Sequence, residues 1–320
     1  MNFVDVAEAA KVNGCKWALL PFYKNGSPFD GEALQGQKIR PVWGMTLKAA
    51  GPMRFRWNET NPNRDSFLSE LCQRYGAEKG GKRIVPLELI HSKIVYDVKE
   101  AGDTFNKQGD GIVTQNKSLI PVVTVADCVP IYFYDAGTGA FGAAHSGWKG
   151  TGIAAQMVEL MKKNYGSDPR DILCAIGPHI HDCCYLVDAE RAKYFADNFG
   201  SDCVQKASPG NKASSDNKAS KAQNAGGGPG LFGQEKDSIQ DQNGGGLYRL
   251  SLLRANLNVL AAAGVLEENI VAAKNCTACD ERFGSFRREA AALDVPAQEK
   301  SRLFTTQAAF VIIESAEVNR

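Results

Sequence analysis

Runs of apolar residues along the chain follow two different spacings, which predict strands and helices respectively. Short runs rich in β-branched and aromatic residues predict strands at residues 17–22, 42–47, 84–90, 122–125, 131–134, 140–144, 172–176, 268–273 and 308–314. Apolar residues at helical spacing predict helices at residues 4–10, 62–76, 152–165 and 188–199, and between Leu250 and Gly264. Strand and helix signals therefore alternate, as in a mixed α+β fold.

The pattern is most informative between residues 122 and 151, where predicted strands carry reactive side chains near their ends. Cys128 lies just before one predicted strand, and the next predicted strand ends at His145. Turn residues at 135–139 join these two strands in a hairpin, which would bring the cysteine and the histidine together at one sheet edge. A second histidine, His91, directly follows another predicted strand.

Two histidines and one cysteine are ligands that Zn²⁺ accepts, and three protein ligands leave a fourth position for water or substrate. His91, Cys128 and His145 therefore form a candidate catalytic zinc site, in which the imidazoles are neutral and the thiol is ionised. The same set of ligands is compatible with copper. Residue type alone leaves a second interpretation open, because isolated His and Cys residues on apolar strands commonly belong to the core.

Length and composition describe an ordinary globular protein. The 320 residues suffice for one large domain or two modest ones, and 43% of them are hydrophobic and 23% charged. A net charge of +1 gives no indication of nucleic acid or a membrane surface as a partner. The sequence shows no apolar run of 18 residues and no signal-peptide pattern. We expect the nine cysteines to be free thiols in a reducing cytoplasm.

Residues 204–246 differ in composition from the rest of the chain. They are rich in Gly, Ser, Asn, Lys and Gln, and the tripeptide Lys-Ala-Ser begins at Lys206, Lys212 and Lys218. Such a segment buries too little apolar surface to offset its conformational entropy. We therefore predict a disordered insertion at about 204–246 in a single catalytic domain that spans residues 1–320.

Three further groups of His and Cys residues invite a metal interpretation. His179 and His181 alternate, Cys183 and Cys184 are adjacent, and residues 276–279 form a CxxC pair. A lone CxxC pair is compatible with a redox function or with half a zinc ribbon, but the sequence has no partner CxxC. We therefore expect a loop near the mouth of the site at the two histidines, and two free thiols at the adjacent cysteines.

Several motifs occur in an order that resembles the YfiH-like family. This family is also known as the multicopper-oxidase-like or polyphenol oxidase family, the purine nucleoside phosphorylase family and the peptidoglycan editing factor family. The resemblance is closer over residues 84–188 than over residues 247–290. The motifs that carry it are HSxxV from His91, DGIVT from Asp110, ADCVPI from Ala126, AHSGWKGT from Ala144, IGP from Ile176, CY from Cys184 and FxSxRR from Phe283.

The resemblance implies a fold, an activity and a set of partners. Family members pack two mixed β-sheets between helical layers, a four-layer α/β/β/α arrangement in one domain. They are described as purine nucleoside enzymes, which deaminate adenosine (a hydrolase) or phosphorolyse adenosine, inosine or methylthioadenosine (a transferase). The partners would be a nucleoside and phosphate, with the chain a monomer or a small homo-oligomer. Older assignments are a peptidoglycan-precursor editing hydrolase and a laccase-like copper polyphenol oxidase, and the four histidines of this chain argue against the laccase.

Residues around the candidate ligands would supply the remaining chemistry. Attack on a purine needs a general acid or base, for which Asp127 is the nearest candidate, although a carboxylate that caps local N–H groups is the alternative. Phosphorolysis needs an anion site, which Arg287, Arg288 or Lys149 could supply; Lys149 stands where the family commonly has Arg. The resemblance also places Asn275 at the border of the substrate pocket.

Overall fold

Two large β-sheets pack face to face in the computed structural model, which describes residues 1–34, 37–75, 81–207, 246–300 and 302–316. Both sheets mix parallel and antiparallel pairs. The first sheet has seven strands, in the spatial order β1 (Asn2–Val4), β17 (Ile270–Ala273), β13 (Ile172–Ile176), β11 (Val129–Asp135), β12 (Phe141–Ser146), β9 (Gly111–Thr114) and β8 (Val95–Asp97).

The second sheet and two small sheets complete the β-structure. The second sheet runs in the order β2 (Trp17–Pro21), β6 (Gln37–Thr46), β18 (Gln307–Ala316), β10 (Leu119–Val125) and β7 (Arg83–Pro86), and β5 (Glu32–Leu34) pairs with β6. One small sheet contains β14 (Leu186–Val187), β16 (Tyr248–Leu250) and β15 (Val204–Lys206), and the other contains β3 (Tyr23–Lys24) and β4 (Ser27–Pro28).

The described part of the chain contains seven α-helices. They are α1 (Val6–Ala9), α2 (Pro62–Tyr75), α3 (Ile153–Tyr165), α4 (Ala189–Phe199), α5 (Leu252–Ala262), α6 (Phe286–Glu289) and α7 (Ala297–Lys300). Helix α2 packs on the second sheet, and α3, α4 and α5 pack on the first. Within the described ranges, no helix combines the length and the apolar character needed to cross a membrane.

Alternation of side chains along the strands explains these layers. In β11, Tyr132 faces the second sheet and packs on Trp43, with the ring centroids 5.0 Å apart. Its neighbours Ile131 and Phe133 belong to the core on the opposite face, beneath the helices, because successive residues of a strand point to opposite sides. The structure therefore confirms the mixed α+β fold with two sheets between helical layers.

Most predicted elements are present, but the strand predicted at 84–90 is too long. It ends at Pro86, and its continuation is a loop in which Glu88 makes only an isolated bridge. The apolar pattern there has another cause: Leu87 and Leu89 are buried without joining a ladder. His91 therefore lies in a loop with a left-handed backbone (φ +59°), rather than directly after a strand.

The N-terminal end of the predicted insertion is also corrected. Residues 204–206 form β15 and pair with β16, with Lys206 opposite Tyr248, so the prediction of disorder from residue 204 is wrong. The ladder with β16 supplies hydrogen-bond partners for the backbone of these residues, and composition alone does not report such pairing. Leu250, predicted to begin a helix, belongs to β16 instead. Residues 208–245 lie outside the described part of the chain, and the insertion there stays a prediction.

Candidate metal centre

The three candidate ligands converge where the β11–β12 hairpin meets the loop after β7. Pro130 of β11 pairs with His145 of β12, and this antiparallel register places Cys128 beside the histidine. The ligand atoms of His91, Cys128 and His145 all lie within 4.8 Å of one another. His145 is buried, Cys128 is half-buried and His91 is exposed, so the group is accessible from one side.

Cys128 owes its position to a sharp crossing between the two large sheets. Strand β10 belongs to the second sheet and ends at Val125, whereas β11 begins in the first sheet at Val129. The chain makes this crossing in three residues, and Asp127 adopts a left-handed backbone with φ +76°, which is uncommon outside glycine. The crossing places the thiol at the joint between the sheets.

The carboxylate of Asp127 accepts hydrogen bonds from other residues of the protein. It accepts hydrogen bonds from Thr277 Oγ1 (2.6 Å), Ser285 Oγ (3.0 Å) and the backbone N–H of Arg287 (2.7 Å). The side chain is buried, and burial raises its pKa even though these hydrogen bonds act to lower it. This geometry matches the alternative of a carboxylate that caps local N–H groups; a general acid or base function stays a prediction.

Asp110 joins His91 to His145, a function that local spacing did not predict. Its fully buried carboxylate accepts hydrogen bonds from the backbone N–H of His91 (3.0 Å) and of Ser92 (2.6 Å) and contacts Nδ1 of His145 at 2.8 Å. A carboxylate on Nδ1 fixes the imidazole orientation and leaves Nε2 for a metal. The signals in the sequence are an acidic residue directly before the apolar strand β9 and the DGIVT motif that begins with it.

Electrostatics distinguish the two histidines. Burial alone would lower the pKa of His145, but the Cys128 thiolate and the Asp110 carboxylate raise it to about 10. Desolvation, together with the charge of His145, lowers the pKa of His91 to about 4. A divalent cation bound by these side chains would displace the proton that the raised pKa keeps on His145.

Asp110→Asn is expected to weaken metal binding about tenfold or more, because a carboxylate that orients a metal-binding histidine typically contributes about 10- to 100-fold to affinity. The amide keeps the shape but removes the charge that orients His145. The measurement is a chelator competition for the bound metal. Asp103→Asn is the matched control, since Asp103 also accepts two backbone N–H bonds, at 2.8 and 2.9 Å, but lies in an exposed turn. Equal affinity in both variants would contradict the assignment.

Gly147 leaves space between the three ligands that any other residue would fill. A Cβ atom at this position would lie 3.1 Å from Cys128 Sγ, 3.1 Å from His91 Cδ2 and 3.6 Å from His145 Cε1. The glycine therefore keeps a cradle open among the donor atoms. This opening, together with two imidazoles and a thiolate, fits a zinc ion with one free coordination position.

Two cations near the ligands are available for an anion. The charge of Lys149 acts directly on His91, and the exposed ammonium lies 5.2 Å from the Trp148 ring centroid. The Arg287 guanidinium lies 5.6 Å from the Tyr185 ring centroid. The backbone N–H of Arg287 donates to the carboxylate of Asp127, the residue before Cys128. The charge of Lys149 therefore reaches the candidate ligands, whereas Arg287 is connected to the crossing before Cys128 through its backbone.

The remaining predicted site residues have structural partners. Arg288 donates through Nη1 to the carbonyl oxygens of Thr277 (2.6 Å) and Ala278 (3.2 Å). Asn275 is buried, and its Oδ1 accepts from the backbone N–H of Val6 at 2.9 Å. These contacts fix the segment that contains the CxxC pair, and substrate binding by Arg288 and Asn275 stays a prediction.

A groove of about 720 Å³ lies on another part of the surface. Residues of α3, α4 and α5 line it, among them Ala155, Phe199 and Ala263. None of the three candidate ligands contributes to its wall. The chemistry-bearing side chains are at the sheet edge, and we therefore assign the candidate site there despite the size of the groove.

The fold and the site define a class of protein with two sheets between helices and a His₂Cys group at the joint. The model of the family described as "Multi-copper polyphenol oxidoreductase laccase" matches residues 62–225 and 231–293, and the chain belongs to this family. The match confirms the resemblance to the YfiH-like family that the motifs indicated.

Curated relatives match part of the chain. The "Purine nucleoside phosphorylase YlmD" of Geobacillus stearothermophilus is 33% identical over 183 residues, which cover 56% of this chain and 55% of that protein. The protein of the same name from Bacillus subtilis is 45% identical over 84 residues, 26% of this chain and 30% of that protein. The matched part therefore spans about half, or less, of these relatives' length.

Solved structures share the fold over nearly the whole chain. The "hypothetical protein YfiH" of Bacillus licheniformis has a TM-score of 0.62 at 24% identity, covering 85% of this chain and 92% of that one. YlmD from Geobacillus stearothermophilus has a TM-score of 0.61 at 25% identity, covering 86% and 92% respectively. These likenesses support the layered fold.

Proposed function

We propose that this protein is a metal-dependent purine nucleoside phosphorylase. The observation that carries the proposal is the convergence of His91, Cys128 and His145 around an open cradle, on which the charge of Lys149 acts. Relatives that are 33% and 45% identical over part of this chain carry the name purine nucleoside phosphorylase. We also propose a cytoplasmic location, because nine free cysteines are typical of a reducing compartment.

We infer zinc as the metal of this site, with copper the less favoured alternative. His91, Cys128 and His145 would hold the ion, and their donor set with a free position is typical of catalytic zinc. When bound, the ion supplies positive charge that polarises a substrate atom or a bound oxygen. The four histidines of the chain support this choice, because a laccase with several copper centres needs more.

In the proposed reaction, phosphate replaces the purine on the sugar. A phosphate oxygen forms a bond to C1′ of the ribose, the bond from C1′ to the purine N9 breaks, and the purine takes up a proton from solvent. Lys149 and Arg287 would bind and orient the phosphate, since charge-assisted hydrogen bonds are the strong ones. Asp127 would act by holding the backbone of Arg287 and the crossing before Cys128 in place.

The test is incubation of the zinc-loaded protein with adenosine or inosine, with and without phosphate, read by chromatography. The proposal requires adenine or hypoxanthine and ribose 1-phosphate to form only when phosphate is present. Inosine formed from adenosine without phosphate would instead indicate the deaminase. Absence of adenine, hypoxanthine and inosine at high enzyme concentration would reject a purine nucleoside substrate. Peptidoglycan precursors would then be the next substrates to test.

Replacing Lys149 or Arg287 with methionine is expected to raise the KM for phosphate about tenfold, with a smaller change in the KM for nucleoside. One charge-assisted hydrogen bond contributes roughly 1.5–3 kcal/mol, which corresponds to about 10- to 100-fold. Arg170→Met is the control, because Arg170 is exposed and pairs with Asp168 at 2.5 Å. An unchanged KM for phosphate in both site variants would place the anion elsewhere.

A further inference from the structure

Four cysteines from two distant segments form a second group of thiols outside the candidate metal centre. Cys183 and Cys184 follow β13, and Cys276 and Cys279 follow β17. All four sulfur atoms lie within 4.8 Å of one another. The sequence alone indicated a CxxC pair without a partner; the partner is the adjacent pair, separated from Cys279 by 95 and 96 positions.

The backbone brings the two pairs together in a defined way. His179 and Cys276 form a parallel bridge, and the Thr277 N–H donates to the His179 carbonyl at 3.0 Å. Each pair lies in a tight turn: the Cys184 N–H donates to the His181 carbonyl, and the Cys279 N–H donates to the Cys276 carbonyl. Two facing turns that present thiols are typical of structural zinc sites.

The distances between the sulfur atoms fit a single tetrahedral ion. Cys183 Sγ lies 3.8 Å from Cys184 Sγ and 3.6 Å from Cys279 Sγ, and Cys184 Sγ lies 3.2 Å from Cys279 Sγ. Four sulfur ligands at about 2.3 Å from a zinc ion lie about 3.8 Å apart at the corners of a tetrahedron. A disulfide would need a pair at about 2.05 Å, and all nine cysteines are free.

We propose that Cys183, Cys184, Cys276 and Cys279 bind one zinc ion in a closed, structural tetrathiolate site. Binding replaces four thiol protons, which pass to solvent, and leaves the coordinated group with a net charge of −2. A set of four thiolates selects a soft, tetrahedral ion. The site has no open position for a substrate, and the proposal is independent of the reaction at His91, Cys128 and His145.

Hydrogen-bond donors and cations lie around the two turns. The backbone N–H of His181 donates to Cys276 Sγ at 3.3 Å. Arg249 donates to the Cys183 carbonyl at 2.8 Å, and Arg288 donates to the turn after Cys276. A guanidinium therefore lies against each of the two turns and offsets the charge of the bound group.

The ion would fasten the ends of two neighbouring strands of the first sheet. Strands β13 and β17 are adjacent and parallel, and the two turns leave from the same end of each. The turn at Cys276 also leads to Thr277, whose hydroxyl donates to Asp127 at 2.6 Å. The tetrathiolate group would therefore hold one wall of the crossing that positions Cys128.

The experiment is elemental analysis and cobalt titration of the full chain and of two paired variants. The intact protein is expected to bind two metal ions per chain. Cys276→Ser/Cys279→Ser should bind one, and His91→Ala/Cys128→Ala should also bind one. Thiolate-to-cobalt charge-transfer absorbance should lose most of its intensity in the Cys276→Ser/Cys279→Ser variant, because the site with four thiolates no longer binds cobalt. It should lose the smaller part in the His91→Ala/Cys128→Ala variant, because that site has one thiolate.

Cys15→Ser is the control, because this exposed cysteine belongs to neither group and should leave both ions in place. A method without substitutions is alkylation of the native chain: zinc should protect Cys183 and Cys279 when the modified peptides are identified by mass spectrometry. Equal metal content in the Cys276→Ser/Cys279→Ser variant, unprotected thiols in the presence of zinc, or a disulfide among these cysteines would each overturn the proposal.

Discussion

Cys128→Ser is expected to remove the metal from the candidate centre and to lower kcat/KM for the purine nucleoside at least about a thousandfold. A serine hydroxyl is not ionised near neutral pH and is a far poorer zinc ligand than a thiolate. Loss of the ion removes charge stabilisation of several kcal/mol, and about 4 kcal/mol corresponds to three powers of ten in rate. Metal content and steady-state kinetics measure the two effects.

The comparison variant is Cys15→Ser, which should keep both the metal and the activity because Cys15 is exposed and outside both thiol groups. Circular dichroism shows whether Cys128→Ser keeps the fold. A folded Cys128→Ser protein with normal activity would remove the metal centre from the proposed reaction. It would leave the tetrathiolate proposal untouched, since that group uses other cysteines.

Gly147→Ala is expected to lower metal affinity and kcat/KM about tenfold, although it adds only one methyl group. The new Cβ would lie 3.1 Å from both Cys128 Sγ and His91 Cδ2, so the ligands must move apart. Their movement is restricted, because the Cys128 crossing and the Asp110 contacts hold them. Displacement of about 1 Å at a reacting group can cost about 100-fold, so we expect about tenfold for the shift of a few tenths of an ångström needed here.

Gly102→Ala is the matched control for this substitution. A Cβ at Gly102 meets nothing within 4 Å, and like Gly147 this glycine has an ordinary negative-φ backbone. Gly102→Ala should therefore bind metal and turn over substrate as the unmodified chain does. If Gly147→Ala behaved in the same way, the cradle between the three ligands would be wide enough to be irrelevant to metal binding.

Local patterns predicted the part of the site that lies in one stretch of sequence. The β11–β12 hairpin was predicted because turn residues separate two apolar strands, and its register alone brings Cys128 next to His145. The motifs that resemble the family then indicated His91 as the third member. In the structure the ligand atoms of these three side chains lie within 4.8 Å of one another, although the strand predicted up to residue 90, just before His91, ends at Pro86.

Other parts of the site depend on long-range packing, which local patterns do not report. Asp110 meets His145 through the pairing of β9 with β12, and nothing around the aspartate marks that contact. Cys183 meets Cys279 because β13 and β17 are neighbours in the sheet. The sequence contains no second CxxC pair, because the partner thiols are adjacent residues.

The pairing of β15 with β16 has a consequence for protein engineering. The Ala207 N–H donates to the Leu247 carbonyl at 2.8 Å, so the chain leaves the small sheet and returns to it at neighbouring points. Whatever sequence joins these points closes a loop whose entropic cost grows only slowly with length. Residues 208–245 can thus be exchanged for a short hairpin turn, or for a fluorescent reporter, while the strand register is preserved.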